Sequence, residues 1–187
     1  RTSSTPTTAP VRTLVAAEPT TSPVLVEGID TRTDAEDRID LDHWIELARR
    51  VLDGLAFGRP VEMGLRFVDP AEMADLNQQH MGQSGPTDVL SFPVDGDPRP
   101  AAASATGPTR ADRAPGEPTV LGDVIVCPAY AAVGAVERAI PLDDELALLI
   151  VHGILHLLGW DHAEPAATAA MQSEERRLLA EHHVAGS

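Results

Sequence analysis

Three histidines near the C-terminus have a spacing that suits a metal ion. His152 and His156 lie four residues apart within an apolar segment, residues 146–158, that predicts a buried helix. At 3.6 residues per turn, side chains four apart project from one helix face, so both imidazoles can reach the same ion. Gly159 permits the left-handed turn that ends a helix, and the chain then offers His162. Three imidazole ligands with a fourth position left open are typical of a catalytic rather than a structural zinc site.

The spacing H-x3-H-x2-G-x2-H also matches the ligand positions of the metzincin zinc proteases. It departs from them at Gly153, where a zinc protease carries the glutamate that acts as general base. Without this carboxylate, peptide hydrolysis by the usual route loses its proton acceptor. A histidine pair at this spacing can also be ordinary core or solvent-facing histidine, but three histidines around a turn glycine favour metal binding. We therefore predict one Zn²⁺ per chain, held by His152, His156 and His162.

The histidine segment also resembles the hallmark of a known family. The pattern H-G-x-L-H-L-L-G-[YW]-D-H, here residues 152–162, is similar to that of the YbeY-type endoribonucleases, the bacterial rRNA maturation factors. Two further stretches, GPTDVLSFP at residues 85–93 and LGDVIV at residues 121–126, agree with the family and follow in its order. The resemblance covers the chain from about residue 24 to the C-terminus.

The resemblance implies both an activity and partners. The activity is that of a zinc-dependent endoribonuclease that prefers single-stranded RNA. It would act in rRNA maturation, in 16S rRNA 3′ end processing and in ribosome quality control. The implied partners are rRNA and the small ribosomal subunit or its assembly factors, with no DNA expected.

One position differs from the family pattern. The family commonly has N-x2-[YF]-R before the P-T-[DN]-V-L-S-F stretch, and its Arg is a proposed catalytic or phosphate-binding residue. The matching residues 77–81 of this chain end in Met81, and a thioether cannot neutralise a phosphate. Either another arginine supplies the charge, for which Arg59, Arg66 and Arg138 are available, or RNA cleavage is weaker.

Several carboxylates are candidates for proton transfer or for orienting a ligand. Asp161, next to a ligand, could carry a proton, although it could instead accept the N–H of a ligand histidine or cap the turn. Asp88 opens a strand that the resemblance places near the active-site cleft, but Thr-Asp is also an ordinary entry into a strand. Asp123 is a lone carboxylate in an apolar strand, so it should be hydrogen-bonded or line the cleft. Glu145, seven residues before His152, could orient a ligand or simply cap its helix.

Composition limits the compartment and the partners. A chain of 187 residues with 43% hydrophobic content is long enough for one domain with a substantial core. The net charge of −15 argues against sequence-blind binding of polyanions over the whole surface, but a local basic channel remains compatible because salt screens exposed charges. The single cysteine, Cys127, allows no intrachain disulfide and favours a reducing, cytoplasmic compartment. No apolar run approaches the ~18 residues of a membrane span, so no membrane contact is expected.

The order of the periodic segments predicts the fold class. Residues 1–23, rich in Thr, Ser, Pro and Ala, are expected to form a disordered tail, and residues 24–187 a single domain with a flexible insertion at 96–118. Strand and helix signals follow one another as β-α-β-α-β-loop-β-α-α-α, with Asp40 and Asp69 as the N-caps of the first two helices. This order predicts an α+β fold: one mixed sheet of about four strands, helices packed against it, and the metal site on a central buried helix.

Two alternatives to an endoribonuclease remain open at this stage. The first is a metallopeptidase, which the ligand spacing allows and Gly153 disfavours. The second is a metal-stabilised ribosome-assembly factor that binds without cutting, which Met81 keeps open.

Overall fold

A computed structural model describes residues 24–33, 39–95, 117–161 and 164–183. The predicted tail at residues 1–23 and most of the predicted insertion lie outside them. The described elements are β1 (Val24–Asp30), α1 (Leu41–Gly54), β2 (Val61–Phe67), α2 (Pro70–Met81), β3 (Val89–Pro93), β4 (Thr119–Val126), α3 (Pro128–Arg138), α4 (Leu142–Leu157) and α5 (Pro165–His182). This is the predicted order, and the α+β class is confirmed. Among the described helices, none is long and apolar enough to cross a membrane.

The four strands form one mixed sheet in the order β1-β2-β4-β3. β1, β2 and β4 run parallel, and β3 pairs antiparallel with β4 at the edge. β1 extends beyond residues 24–26, the short apolar stretch that predicts a strand here, because it pairs with β2 along its whole length, from Val24 to Asp30. Alternation along β2 sends its apolar side chains to one face and its polar ones to the other.

The first two helices begin at the predicted caps. Asp40 and Asp69 each accept a hydrogen bond from a backbone N–H in the first turn, at 3.2 and 2.9 Å, which satisfies an amide that has no partner within the helix. Glu72, in the first turn of α2, does not reach back to the cap. Its carboxylate accepts hydrogen bonds from Thr31 and Arg66 instead, and so ties α2 to the sheet.

Helix α4 is the centre of the main core, which lies between one face of the sheet and helices α1, α4 and α5. Ten of its sixteen residues are buried, and each fully buried aliphatic side chain contributes about 1.5–3 kcal/mol. Gly153 lets the helix approach the sheet closely. A Cβ at this position would lie 2.6 Å from Cγ1 of Val124 and 3.1 Å from Oγ of Ser91.

A smaller apolar cluster lies on the opposite face of the sheet, beneath α2. Its buried members are Val68, Met73, Leu90, Ile125 and Cys127. Burial raises the pKa of the Cys127 thiol above its ordinary value. The free cysteine is therefore a core residue whose thiol is disfavoured from ionising in the native protein.

Candidate metal centre

Helix α4 presents His152 and His156 from one face, one turn apart. Their Nε2 atoms are 3.1 Å apart, and the two rings are nearly perpendicular, at 84°. Two nitrogens that are each about 2.0–2.1 Å from a tetrahedral zinc ion lie about 3.3 Å from one another. The described pair therefore has the spacing that two ligands of one zinc ion require.

The outer nitrogens of both rings are engaged, and these contacts fix the tautomers. Nδ1 of His152 lies 2.7 Å from Oε1 of Glu175, and Nδ1 of His156 lies 3.0 Å from the carbonyl oxygen of Trp160. Because a carboxylate and a carbonyl accept, each Nδ1 carries the hydrogen and donates it. In a neutral imidazole with this tautomer, Nε2 carries the lone pair that a metal ligand supplies. When both rings are neutral, two such lone pairs 3.1 Å apart repel one another unless they share a cation.

The turn after α4 supplies one of these two acceptors. Gly159 has φ of +80°, in the left-handed region that favours glycine, so the turn predicted here is confirmed. The Trp160 N–H donates to the Leu155 carbonyl and the Gly159 N–H to that of His156, which is the Schellman arrangement. The turn thus holds the Trp160 carbonyl against His156 by backbone hydrogen bonds.

His162, the third predicted ligand, lies outside the described residues. Within the described ranges, no group of three histidine, cysteine, aspartate or glutamate side chains is placed to hold a metal. Asp161 is exposed just beyond the turn. One of its expected roles, accepting an Nδ1 hydrogen, is filled at the two described histidines by a glutamate of α5 and by a backbone carbonyl.

Glu175 is a residue of the site that the histidine motif does not predict. This residue of α5 is 8% exposed and lies on the helix face that also buries Met171 and Leu178. A carboxylate in an apolar stripe is costly to bury without a partner, and this interruption was the available signal. The partner is Nδ1 of His152, which is 23 residues away in the sequence.

A cleft opens beside the histidine pair, with β3 as one wall. Two adjoining cavities of about 260 and 440 Å³ share Asp88, Val89 and His152, and the larger one also reaches the second histidine and Met81. The larger volume lies within the range of small-molecule sites. Oδ1 of Asp88 accepts hydrogen bonds from the Val89 N–H and the Thr87 hydroxyl, at 2.8 and 3.0 Å. Asp88 therefore lies in the cleft wall and also stabilises the entry into β3.

Asp123 lies on the other face of the sheet. Its strand neighbour Val124 and the β3 residue Ser91 both face Gly153 of α4. Because successive side chains alternate, Asp123 points away from α4, and it is exposed beside Gly64 of β2. The structure therefore does not bring Asp123 to the cleft, unlike Asp88.

Glu145 does not cap α4, and its side-chain hydrogen bond goes to neither His152 nor His156. It is fully buried, and its Oε1 accepts a hydrogen bond from Nη1 of Arg138 at the end of α3. This hydrogen bond raises the pKa of the Arg138 guanidinium above its ordinary value. The Arg138 side chain is 50% exposed and lines the smaller cavity together with Asp88 and His152.

The fold and the site define a class: an α+β protein whose central helix carries a histidine pair, suited to a metal ion, beside an open cleft. A family model described as Endoribonuclease YbeY matches residues 29–183. The chain belongs to this family, and the resemblance seen in the sequence is confirmed.

Two relatives with similar sequences agree with the family assignment. The endoribonuclease YbeY of Salinispora tropica is 41% identical over 152 residues, which cover 81% of this chain and 94% of that protein. The endoribonuclease YbeY of Thermobifida fusca is 42% identical over 152 residues, 81% of this chain and 92% of that protein. Superposition of this chain on the solution structure of TM1509 from Thermotoga maritima gives a TM-score of 0.48 at 23% sequence identity. The match covers 83% of this chain and 90% of that one.

Proposed function

We propose that this protein is a zinc-dependent endoribonuclease that cleaves single-stranded RNA. Its substrate would be rRNA, cut during 16S rRNA 3′ end processing and ribosome quality control in the cytoplasm. The small ribosomal subunit or assembly factors would be its partners. Family membership supports the RNA chemistry. The metal dependence is supported by one observation: the Nε2 atoms of His152 and His156 are 3.1 Å apart, while both Nδ1 hydrogens are donated elsewhere.

The ligands would be His152, His156 and His162. The 3.1 Å between the first two Nε2 atoms is close to the ~3.3 Å expected across a tetrahedral zinc ion, so the described residues fit the ion. Bound zinc would supply a nucleophilic oxygen at neutral pH and would offset the charge that develops on the phosphate. His162 lies outside the described residues, and its part in the proposal comes from its spacing in the sequence.

Protein groups around the pair would prepare it for the reaction. Glu175 and the Trp160 carbonyl hold the Nδ1 hydrogens, so that both Nε2 lone pairs are preorganised before substrate arrives. Asp88 would accept a proton in the cleft. Its Oδ1 already accepts two hydrogen bonds from its own turn, so Oδ2 is the atom that would accept that proton. Asp161 is the second candidate for proton transfer.

The packing of α4 disfavours the metallopeptidase alternative. A protease would need a glutamate at position 153, and even a Cβ there would lie 2.6 Å from Val124 Cγ1. Accommodating a longer side chain would require α4 to move away from the sheet, which overpacked cores resist. The alternative of an assembly factor that binds without cutting is separated from the enzyme by a cleavage assay.

The test is to incubate the zinc-loaded protein with a labelled unstructured RNA and, separately, with casein. We expect cut RNA and intact casein. His156→Ala should abolish RNA cleavage, whereas His43→Ala, an exposed position on α1, should leave it unchanged and serves as the matched control. Intact RNA with cut casein would favour the peptidase. RNA that binds but is never cut would favour the assembly factor.

A further inference from the structure

A buried carboxylate holds Arg138 at the rim of the cleft. Glu145 is fully buried in the first turn of α4, whereas the side chain of Arg138 is half exposed. The hydrogen bond between them, from Nη1 of Arg138 to Oε1 of Glu145, therefore anchors one end of the guanidinium in the protein. The negative charge of Glu145 therefore lies inside the protein, and the positive charge of Arg138 lies at the cavity that His152 lines.

The anchored guanidinium has donors left for a ligand. A guanidinium carries five N–H groups. Within the described residues, the one hydrogen bond recorded for Arg138 is that from Nη1 to Glu145. A planar fork with several N–H groups facing a cleft is the arrangement that recognises phosphate oxygens, because it can donate two parallel hydrogen bonds.

The carboxylates of the cleft are unfavourable for an anionic substrate. Asp88 and Glu175 line the same cavity, and both carry carboxylates. Among the described residues that line the two adjoining cavities, Arg138 is the one arginine, and Met81 contributes a thioether. A polyanion that enters this cleft therefore meets a single fixed guanidinium near the histidine pair.

Two other arginines are engaged away from the cleft. Nη2 of Arg59 donates to the Glu117 carbonyl. Arg66 donates to the Glu72 carboxylate on the sheet face that carries α2. These contacts leave Arg138 as the candidate with the right position.

We propose that Arg138 binds a non-bridging phosphate oxygen of the RNA strand in the cleft, and that Glu145 acts as its positioning residue. This inference rests on the proposed endoribonuclease function. The simpler account is that Arg138 merely neutralises a buried carboxylate. The two accounts differ in what happens when both charges are removed together.

The decisive variant is the double substitution Arg138→Gln with Glu145→Gln, which keeps an amide hydrogen bond in place of the ion pair. We measure kcat and KM of the zinc-loaded protein on a labelled unstructured RNA at several salt concentrations. If Arg138 binds phosphate, KM should rise about tenfold or more, with a smaller change in kcat. The slope of log KM against log salt should fall by about 0.7, the value for one phosphate contact on a single strand.

Three further variants complete the set. Glu145→Gln alone keeps an oxygen acceptor but weakens the anchor of Arg138, so KM should rise by less than in the double variant. Arg138→Lys should lose only part of the affinity, because it keeps the charge without the fork. Arg177→Gln removes the same charge from an exposed ion pair on α5 and should leave KM as in the parent protein.

Each outcome decides one question. If the double variant keeps the parental KM and salt slope, the guanidinium does not bind phosphate and the inference is overturned. If Arg138→Gln alone raises KM and the double variant restores it, the role is structural and the inference is likewise overturned. If the parent protein itself neither binds nor cuts RNA, the proposed function fails, whatever the variants do. Thermal unfolding of each variant verifies that it is folded.

Discussion

Replacing Glu175 by leucine removes the acceptor of the His152 Nδ1 hydrogen while completing the apolar stripe of α5. The lost hydrogen bond is 2.7 Å long and charge-assisted, at the short end of the range for such bonds. Without it, the ring can rotate and the tautomer with hydrogen on Nε2 becomes accessible. Losses of this kind cost about 10- to 100-fold in metal affinity, or roughly 1.4–2.7 kcal/mol.

The stability of the metal-free protein should respond differently. Leucine at position 175 would pack with Met171 and Leu178, whereas the parent buries a carboxylate there. The side chain of His152 is 28% exposed, so water can replace the lost acceptor. We therefore expect the free energy of unfolding of the metal-free variant to lie within about 1 kcal/mol of the parent value, or above it.

The assay is zinc binding in competition with a chromophoric chelator, together with urea unfolding of the metal-free protein. Glu175→Gln keeps an oxygen acceptor without the charge and should give an intermediate affinity. Glu181→Gln removes an exposed carboxylate of the same helix and should bind zinc like the parent. Parental zinc affinity in Glu175→Leu would refute the tautomer argument. If the free energy of unfolding of the metal-free variant falls by as much as the free energy of zinc binding, Glu175 supports the fold instead.

Three further predictions concern packing, charge and burial. Gly153→Ala should lower the free energy of unfolding by about 1–3 kcal/mol, because its Cβ would lie 2.6 Å from Val124 Cγ1; an unchanged urea midpoint would contradict this packing. Met81→Arg should lower KM for RNA, because position 81 lines the cavity beside the histidine pair; an unchanged KM would show that a missing cation does not limit binding. Cys127 should react with a thiol reagent far more slowly in the native protein than in denaturant, because burial raises the pKa of its thiol; equal rates would contradict its burial.

Features that depend on a few neighbouring residues could be predicted from the sequence. The caps at Asp40 and Asp69 and the left-handed turn at Gly159 all formed as expected. Each of these is set by a side chain or a glycine acting on amides within one turn, so no distant contact is needed. The apolar spacing along α4 is also a local feature, and it was enough to predict that this helix is buried.

The face on which Asp123 lies could not be predicted in the same way. Strict alternation from the buried Leu121 would place Asp123 on the core face, beside α4. The strand instead contains an irregularity: Glu62 pairs with Val120 and Met63 with Gly122, so Leu121 is an extra residue. Beyond this bulge, the alternation of side chains between the two faces is shifted by one residue. Asp123 therefore points to the face opposite α4.

Contacts between distant segments account for the other differences. The acidic end of β1 resembles a turn, but pairing with β2 along the full strand holds it extended. Glu145 has the sequence position of a capping residue, and its burial against Arg138 becomes visible only once α3 and α4 are packed together. Propensity is a weak guide wherever such packing decides the outcome.

The histidine motif brings His152 and His156 together on α4. The groups that accept their Nδ1 hydrogens, and so orient the two rings, lie beyond the end of this helix. At His156 the acceptor is the Trp160 carbonyl, which the turn holds by backbone hydrogen bonds. At His152 the acceptor is the carboxylate of Glu175, which α5 brings from another part of the chain. The first acceptor cannot be removed by a side-chain substitution, and disturbing the turn would also disturb the end of α4. The second belongs to a side chain outside α4, so Glu175 is the position at which we expect the proposed metal affinity to be separable from folding.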